Sequence, residues 1–489
     1  MLEKTLVGRE PEQKRLKQLL HSDKAEFIAV YGRRRIGKTF LIKEFFRLNN
    51  VKTFYVMGEI KATKQRQLAL FQKSLEDTFA QGVRLPTYNN WNSAFEALIS
   101  YIKLEYKRYP NKNILIFLDE LPWLAAKKTS ILRALDHAWN TELKDIPTLK
   151  LVVCGSAATW MIQNIIQAKG GLHNRITETI HLQPFSLLEV EEFLKARHFH
   201  YTRSQIVEIF LALGGVPYYI DLLEKGLSPS QNISSLCFGT TGLVDEFSVL
   251  FKALFENSEN HYKIVRALFT KNKGLTRQEI VEKTKIPSGG RLKTWLTELE
   301  QAGFISQLPS YSQKQKDTTY KIIDEFILFY MHWMQKNKKG ILSPSHKENY
   351  WHLQSQTQEY TVWSGYAFEN LCLKHHWQIK KALGISHIIA QPYLWSYLGT
   401  KNEPGTQIDL LFDRADNIIS LCEIKYNKNE FKITKDYAQN LEKKINLFRN
   451  KTKTRKSIFL VFITNAGMFN NEYKKQLVSN ELTLDDLFA

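Results

Sequence analysis

Residues 27–46 read FIAVYGRRRIGKTFLIKEFF, and this stretch predicts the fold of the amino-terminal part of the chain. Residues 27–31 form an apolar run that predicts a short buried strand, whereas residues 38–46 place apolar side chains at helical spacing. Between them, residues 32–39 match GxxxxGK[ST] in the strand-to-helix context that this motif requires. Glycines let backbone N–H groups converge on phosphate oxygens, and the helix N-terminus adds positive potential. The stretch predicts a phosphate-binding loop; a chance glycine-rich turn is the alternative.

The loop supplies most of the residues expected to contact a nucleotide. Lys38 is expected to reach the terminal phosphates and to assist catalysis, and the Thr39 hydroxyl is expected to ligate Mg²⁺. We therefore expect ATP and Mg²⁺ as cofactors. The predicted loop contacts are Gly32, Arg33, Arg34, Arg35, Ile36, Gly37, Lys38 and Thr39.

Two further apolar runs end in polar residues. Residues 114–118, ILIFL, lack any polar alternation, as is typical of a central parallel strand, and Asp119 and Glu120 follow at the carboxyl end. This position suits a carboxylate bound to Mg²⁺, Asp119, and a catalytic carboxylate that polarises the attacking water, Glu120. A solvated strand end is the alternative. Residues 151–154 lead to Ser156, which either senses the terminal phosphate or lies in a small-residue turn.

These runs, with a further strand near residues 53–57, predict an open α/β sheet. In addition, VGRE at residues 7–10, HNR at residues 173–175 and GGVPYYIDLL at residues 214–223 make the chain resemble the archaeal and bacterial AAA/STAND-type P-loop ATPases. The resemblance implies a P-loop NTPase parallel sheet followed by a helical subdomain. It places Arg9 near the nucleotide and makes Arg175 a candidate sensor or finger arginine. The equally supported alternative is that Arg175 is an ordinary loop arginine. The sequence does not show whether Arg175 would act in its own subunit or in a neighbouring one.

From His261 onward the pattern changes to three short helices and two strands. Thr276 and Glu279 have capping-box spacing at the start of the second helix, and residues 287–290, PSGG, predict a turn before the third. This order resembles a winged helix-turn-helix. Arg291 and Lys293 would then face a duplex, although winged helices also serve as spacers that bind proteins.

The carboxy-terminal part contains a second group of charged residues. QIDLLFDR and NIISLCEIKY read as two strands of a hairpin, and Glu423 and Lys425 are two residues apart, so both side chains lie on one face. Asp409 on the neighbouring strand can meet them there. Two carboxylates and an ammonium in one cleft predict a divalent-metal site with Asp409 and Glu423 as ligands. A surface aspartate beside a strand-edge ion pair is the alternative.

The Asp…Glu-x-Lys spacing resembles the PD-(D/E)XK nuclease core, a restriction-endonuclease-like α/β fold. The resemblance implies Mg²⁺-assisted phosphodiester hydrolysis with Asp409, Glu423 and Lys425 as catalytic residues, and it matches Glu369 to the acidic residue of the preceding helix. No proline precedes Asp409. Residues 421–460 hold eleven Lys or Arg against four Asp or Glu, which predicts either a nucleic-acid track or the solvated face of a helix.

The composition of the chain limits the class of protein, the partner and the compartment that can be expected. Hydrophobic residues make up 43% and charged residues 24% of the 489 residues, which excludes collagen-like and mostly disordered chains. Lys and Arg number 68 against 49 Asp and Glu, a net charge of +19 that favours nucleic acid as partner and, in second place, an anionic membrane surface. As the nucleic acid we expect DNA rather than RNA. Four cysteines without a CxxC pair fit a reducing compartment. With no signal-peptide core and no apolar run of 18 residues, we expect a cytoplasmic protein that has no membrane partner.

Together these patterns predict an ATPase core at residues 1–180, a helical subdomain at 181–257, a winged helix at 258–335 and a nuclease-like domain at 336–489. The leading hypothesis is an ATP-hydrolysing protein that acts on DNA, in which the nucleotide state controls a Mg²⁺-dependent nuclease-like domain. A nucleotide-dependent switch whose last domain binds nucleic acid or protein without cutting is the alternative. A homo-oligomer is possible under both, and a translocase would require assembly into a ring.

Overall fold

The computed structural model describes residues 6–125, 130–167, 172–239, 242–255, 258–311, 318–341, 350–400 and 403–489. The chain divides into two compact units, Met1–Gln183 and Pro184–Ala489. The predicted limits near residues 257 and 335 fall inside the second unit and stay predictions.

The first unit is built on a parallel sheet in the order β2-β3-β4-β1-β5. This confirms the predicted α/β sheet with a strand before the phosphate-binding loop. The strands are β1 (Glu26–Tyr31), β2 (Lys52–Met57), β3 (Ile114–Asp119), β4 (Leu149–Gly155) and β5 (Glu178–His181). The helices are α1 (Glu10–Leu20), α2 (Lys38–Leu48), α3 (Lys64–Thr78), α4 (Trp91–Arg108), α5 (Leu121–Leu124), α6 (Ile131–Thr141) and α7 (Ala158–Met161).

Strand β1 is buried on both faces, as its uninterrupted apolar sequence predicts. Phe27 and Ala29 pack into the core on one side of the sheet, and Ile28 and Val30 pack into the core on the other side. Because β4 lies between β1 and β3, the carboxyl ends of these three strands are adjacent. The phosphate-binding loop, Ser156 and Asp119 therefore meet at one edge of the sheet.

The second unit begins with helices. They are α8 (Leu187–Ala196), α9 (Arg203–Leu213), α10 (Pro217–Asp221), α11 (Pro229–Phe238) and α12 (Glu246–Leu254). The GGVP element joins α9 to α10, where two stretches of backbone come very close. A Cβ on Gly215 would lie 1.8 Å from the carbonyl oxygen of Phe185, whose N–H donates to the Gly215 carbonyl at 2.6 Å. Glycine is required there by space.

A group of helices with a small antiparallel sheet follows. Its elements are α13 (Ser258–Phe269), β6 (Leu275–Thr276), α14 (Arg277–Thr284), α15 (Gly290–Gln301), β7 (Ile305–Pro309) and β8 (Thr318–Ile322). The predicted capping box is present, because the Thr276 side chain accepts from the Glu279 N–H and the Glu279 carboxylate accepts from the Thr276 N–H. The strands are ordered β6-β8-β7.

The rest of the second unit contains a mixed sheet in the order β13-β12-β11-β10-β9. The predicted hairpin of β10 and β11 is antiparallel, and β11, β12 and β13 are parallel neighbours. The strands are β9 (Ala390–Tyr397), β10 (Thr406–Arg414), β11 (Ile418–Lys425), β12 (Ser457–Thr464) and β13 (Asn480–Leu482). The helices are α16 (Glu325–Phe329), α17 (Lys338–Ile341), α18 (Tyr350–Gln354), α19 (Gln358–Lys374), α20 (His376–Ala382), α21 (Lys435–Thr452), α22 (Glu472–Leu477) and α23 (Leu484–Leu487).

A β-bulge interrupts the pairing of β10 with β9 at Asp409. Ile408 pairs with Trp395 and Leu411 pairs with Tyr393, so two residues of β10 stand against one residue of β9. Bulges redirect side chains and are common beside functional sites. As for membranes, none of the helices within the described ranges has the length and apolarity to cross a bilayer.

Candidate functional sites

The phosphate-binding loop depends on two glycines for different reasons. Gly32 has φ 146°, and a Cβ there would lie 2.3 Å from the carbonyl oxygen of Leu182. Gly37 has φ 88° and precedes α2, but no atom lies within 4 Å of the position that its Cβ would take. A side chain at position 32 would clash with the Leu182 carbonyl and would also disfavour the backbone conformation. At position 37 only the backbone conformation requires glycine, and the space next to the start of α2 stays empty.

Lys38 lies inside the loop that it is expected to serve. Its side chain is buried, and its ammonium donates to the carbonyl oxygens of Gly32 and Arg33 at 2.9 Å each. Arg9 approaches the same loop from the start of α1 and donates from Nη2 to the Ile36 carbonyl at 3.1 Å. The structure thus brings both predicted cations to the loop backbone.

Thr39 and Asp119 form the pair that the sequence assigns to a metal ion. The Thr39 hydroxyl donates to Asp119 Oδ2 at 2.7 Å, and the Tyr55 hydroxyl donates to the same oxygen at 3.3 Å. Burial, together with the charge of Asp119, raises the pKa of Tyr55, so the phenol stays protonated as a donor. A hydroxyl and a carboxylate side by side are the hard oxygen ligands that Mg²⁺ prefers, so these residues fit the ion.

Glu120 is held by the end of the neighbouring strand. Its backbone is left-handed, with φ 47°, and Oε2 accepts from the Ser156 N–H at 3.0 Å. The Ser156 hydroxyl donates to Oε1. Ser156 therefore fixes the orientation of the Glu120 carboxylate. From the sequence, Ser156 was expected either to sense the terminal phosphate or to lie in a small-residue turn.

The remaining predicted arginines differ in setting. Arg33 is buried, Arg34 and Arg35 are half-buried, and Arg35 has a left-handed φ of 73°. Arg175 is exposed in a 3₁₀ turn, His173–Arg175. In the part of the chain that the structure describes, no carboxylate binds the Arg175 guanidinium.

The carboxy-terminal sheet carries a buried carboxylate held by cations. Glu423 is only 3% exposed; its Oε1 lies 2.9 Å from the Lys425 ammonium and its Oε2 lies 2.7 Å from that of Lys444. The Tyr437 hydroxyl donates to Oε1 at 2.6 Å. Burial opposes ionisation, but the charges of Lys425 and Lys444 and these hydrogen bonds outweigh it and lower the pKa of Glu423 to about 2.

Asp409 and Glu369 complete this group, which we call the carboxylate–lysine cluster: Lys321, Glu369, Asp409, Glu423, Lys425, Tyr437 and Lys444. Leu410 pairs with Cys422, so Asp409 stands opposite Glu423 on the same face. Burial and the charge of Glu423 raise the pKa of Asp409, and burial and the charge of Asp409 raise that of Glu369. Across the described ranges, no three His, Cys, Asp or Glu side chains stand close enough to hold a metal ion by themselves.

Comparisons with known proteins bear on the amino-terminal region. Residues 6–223 match the family model described as an ATPase domain predominantly from Archaea. The amino-terminal region is a P-loop ATPase domain. Over 454 residues the chain is 26% identical to an uncharacterized protein of Methanocaldococcus jannaschii, and the match covers 90% of this chain and 92% of that protein. A 46-residue segment, 9% of this chain, is 44% identical to an uncharacterized ATP-binding protein of the same organism and covers 78% of it.

Solved structures also resemble the chain. The Walker-type ATPase of Pyrococcus abyssi is 18% identical, with a TM-score of 0.46 over 66% of this chain and 95% of that one. The ORC2 protein of Aeropyrum pernix, solved as ADPNP and ADP complexes, is 12% identical, with a TM-score of 0.43 over 69% of this chain and 97% of that one.

Sequence reasoning missed three residues of these sites. In the ATPase domain, nothing in the pattern of β2 distinguished Tyr55. Lys444 is seven residues after Tyr437, on the face of α21 that also buries Leu441 and Phe448. A lysine at a core-facing helical position was a usable signal. Lys321 belongs to β8, far away in sequence, and only the tertiary structure shows that its charge acts on Glu369 and Asp409.

Proposed function

We propose that this ATPase acts on DNA and that its nucleotide state controls Mg²⁺-dependent phosphodiester hydrolysis at the carboxylate–lysine cluster. The observation that carries the proposal is the convergence of Asp409, Glu423 and Lys425 on one face of a buried sheet. Buried charges are costly unless they are paired, and such groups in one cleft are typical of functional sites.

In the ATPase domain, Thr39 and Asp119 would hold Mg²⁺. The bound ion would neutralise charge on the phosphates. Glu120 would accept a proton from the attacking water, and Ser156 would keep its carboxylate in place. Lys38 would exchange its loop carbonyls for phosphate oxygens. Arg175 is exposed and would complete the site as a finger, either in its own subunit or in a neighbour.

In the carboxylate–lysine cluster, Asp409 and Glu423 would hold the divalent ion, and the residues fit it because both offer carboxylate oxygens on one face, with Glu423 buried and Asp409 half-buried. The ion would supply a Lewis acid for the scissile phosphate. Glu423 is ionised at neutral pH, which suits a ligand. Lys425 would position the attacking water, and Glu369, with its raised pKa, would hold a proton beside it.

Two basic surfaces of the second unit support DNA as the substrate. Arg291 and Lys293 are both exposed in the first turn of α15, on the third helix of the proposed winged helix. The segment around α21 carries the excess of lysine and arginine noted above. Exposed cations on a helix are the usual means of binding phosphate backbones.

One observation favours a second candidate, a nucleotide-dependent switch without cleavage. Lys425 and Lys444 each bind one oxygen of Glu423, and Tyr437 binds it as well. A carboxylate so fully satisfied also serves to hold α21 against the sheet. In that case the last domain would bind nucleic acid or protein and leave it intact.

Metal-dependent cleavage separates the two candidates. Wild type, Asp409→Asn and Asp413→Asn would be incubated with single-stranded and duplex DNA and RNA, with Mg²⁺ and ATP or with EDTA. Asp413 lies on the same strand but binds Lys456 at 2.7 Å, so Asp413→Asn is the matched control. We expect Asp409→Asn to reduce cleavage of DNA by about 10²-fold or more and Asp413→Asn to retain it. Equal cleavage by all three proteins, or none by the wild type, would overturn the nuclease proposal.

A further inference from the structure

A cavity of about 320 Å³ lies in the second unit beside α19, between that helix, the end of α13 and the segment containing α16. This volume is in the range of small-ligand pockets. We call it the α19 cavity. Its lining residues are Phe269, Asn272, Leu328, His332, Gln358, Glu359, Val362, Trp363, Tyr366, Ala367 and Asn370.

Aromatic rings form much of the wall. The His332 ring lies 6.2 Å from that of Phe269 and 6.3 Å from that of Trp363, measured between centroids. Tyr366 is 42% exposed, whereas Trp363 is buried, so one ring lies at the mouth and another at the inner wall. Flat faces of this kind bind planar aromatic ligands by stacking.

Asn370 adds a polar group without a partner. Its side chain is 5% exposed, and Oδ1 has no hydrogen-bond partner among the described residues. Buried amides are normally satisfied, so an orphan that lines a cavity points to a ligand. A carboxamide offers an acceptor and a donor side by side, which is the pattern that pairs with the edge of a nucleobase.

The charge of the residues that line the α19 cavity favours a neutral base over a negatively charged phosphate. Among the described residues, the cavity is lined by neither lysine nor arginine, and Glu359 is its acidic residue. His332 is bound to Glu359 at 3.0 Å, and burial, which outweighs that carboxylate, lowers the pKa of His332. The surroundings are therefore neutral to negative and would repel phosphate groups from the interior.

We propose that the α19 cavity binds an unpaired nucleobase, with Trp363 and Tyr366 stacking on it and Asn370 reading its edge. Asn370 directly follows Glu369 on α19, and successive residues of a helix are about 100° apart, so the cavity and Glu369 lie on different faces of the helix. The site goes beyond the proposed function, because binding of the base does not require that the cluster cuts.

The test uses a base whose fluorescence falls on stacking. The free nucleoside of 2-aminopurine, which has no phosphate for the P-loop, and a single-stranded DNA oligonucleotide containing one 2-aminopurine would each be titrated onto the Lys38→Ala protein. Tyr366→Ala, Tyr366→Phe and Asn370→Leu would be added in that background. Trp377→Ala is the control, since Trp377 is another exposed aromatic, 55% exposed, and does not line the cavity.

Loss of one stacking ring predicts roughly 5- to 150-fold weaker binding for Tyr366→Ala, with Tyr366→Phe and Trp377→Ala within about twofold of the parent. Asn370→Leu should weaken binding as well, and Asn370→Asp replaces it if the leucine variant does not fold. If the nucleoside binds, the cavity accepts free bases. If only the oligonucleotide binds, the cavity accepts a base that is part of a DNA strand. No binding of either probe, or equal affinities in Tyr366→Ala and Trp377→Ala, would overturn the proposal.

Discussion

At Gly32 the phosphate-binding loop passes against the chain that follows β5. The Cβ of an alanine would lie 2.3 Å from the Leu182 carbonyl oxygen, and φ is 146°. Gly82 also has a positive φ, 84°, but nothing lies within 4 Å of its Cβ position. We therefore expect Gly32→Ala to lower the free energy of unfolding by about 3 kcal/mol or more and to abolish ATP binding, and Gly82→Ala to cost about 1 kcal/mol.

Urea unfolding and nucleotide titration of both glycine variants measure this difference. Equal losses of stability in the two variants would contradict the close approach at Gly32.

Glu120 is held by Ser156 in a position suited to accept a proton. Glu120→Gln keeps the size of the side chain and its hydrogen bond from the Ser156 N–H but removes the base. We expect ATP turnover to fall by about 10²- to 10⁴-fold while ATP still binds. Steady-state hydrolysis and equilibrium binding measure the two effects. The control is Glu142→Gln, because Glu142 forms an exposed ion pair with Lys103; it should leave ATP turnover and ATP binding unchanged. If Glu120→Gln retained turnover, Glu120 would not be the base.

Glu423 links stability to pH. Folding lowers its pKa from 4.5 to about 2, so its contribution is complete above the pKa of the unfolded chain and declines as the pH falls from 5 towards 2. We expect Glu423→Gln to cost about 2–3 kcal/mol at pH 7 and progressively less below pH 5. Chemical unfolding at several pH values measures the difference from wild type.

The control for this pH dependence is Glu442→Gln, because Glu442 is exposed on α21. Its cost should be small at every pH. A cost of Glu423→Gln that does not change between pH 7 and pH 3.5 would show that its charge is not stabilised by folding.

At the scale of elements, β8 brings a cation to the carboxylate–lysine cluster from a distant part of the chain. Burial lowers the pKa of Lys321, while the charges of Glu369 and Asp409 oppose that shift. Lys321→Met would remove a positive charge that stabilises the ionised forms of these two acids. We expect the free energy of unfolding to fall by about 1–3 kcal/mol, because the half-buried carboxylates of Glu369 and Asp409 lose a neighbouring positive charge. Lys293→Met, at an exposed position of α15, should cost less than about 0.5 kcal/mol; equal costs in urea unfolding would remove Lys321 from the cluster.

The elements themselves could be predicted from sequence wherever local periodicity and packing agree. The apolar runs of β1 and β3, the helical spacing of α2 and the capping box of α14 all form as their residues indicate. The bulge at Asp409 could not be predicted, because it depends on pairing with β9. The GGVP element was assigned by resemblance alone, and the physical reason for Gly215, the close approach of Phe185, appears only in the structure.

At the scale of the whole molecule, the sequence predicted an open α/β sheet but not its strand order. The order β2-β3-β4-β1-β5 depends on how each crossover helix packs, which is a long-range property. That order places Ser156 between the phosphate-binding loop and Asp119. In the same way, only the tertiary structure shows that α21 and β8 bring Lys444 and Lys321 to the acidic residues of β10 and β11.

The proposed control of cleavage by the nucleotide state is tested by measuring Mg²⁺-dependent DNA cleavage rates for matched variants with ATP, with ADP and without nucleotide. Lys38→Ala removes the cation of the phosphate-binding loop, Glu120→Gln holds ATP without turnover, and Lys17→Ala, at an exposed position of α1, is the control. We expect the wild type and Lys17→Ala to change their cleavage rate with the nucleotide, Lys38→Ala to cleave at the same rate under all three conditions, and Glu120→Gln to keep the rate of the ATP state. Identical cleavage rates in all four proteins under all three conditions would contradict it.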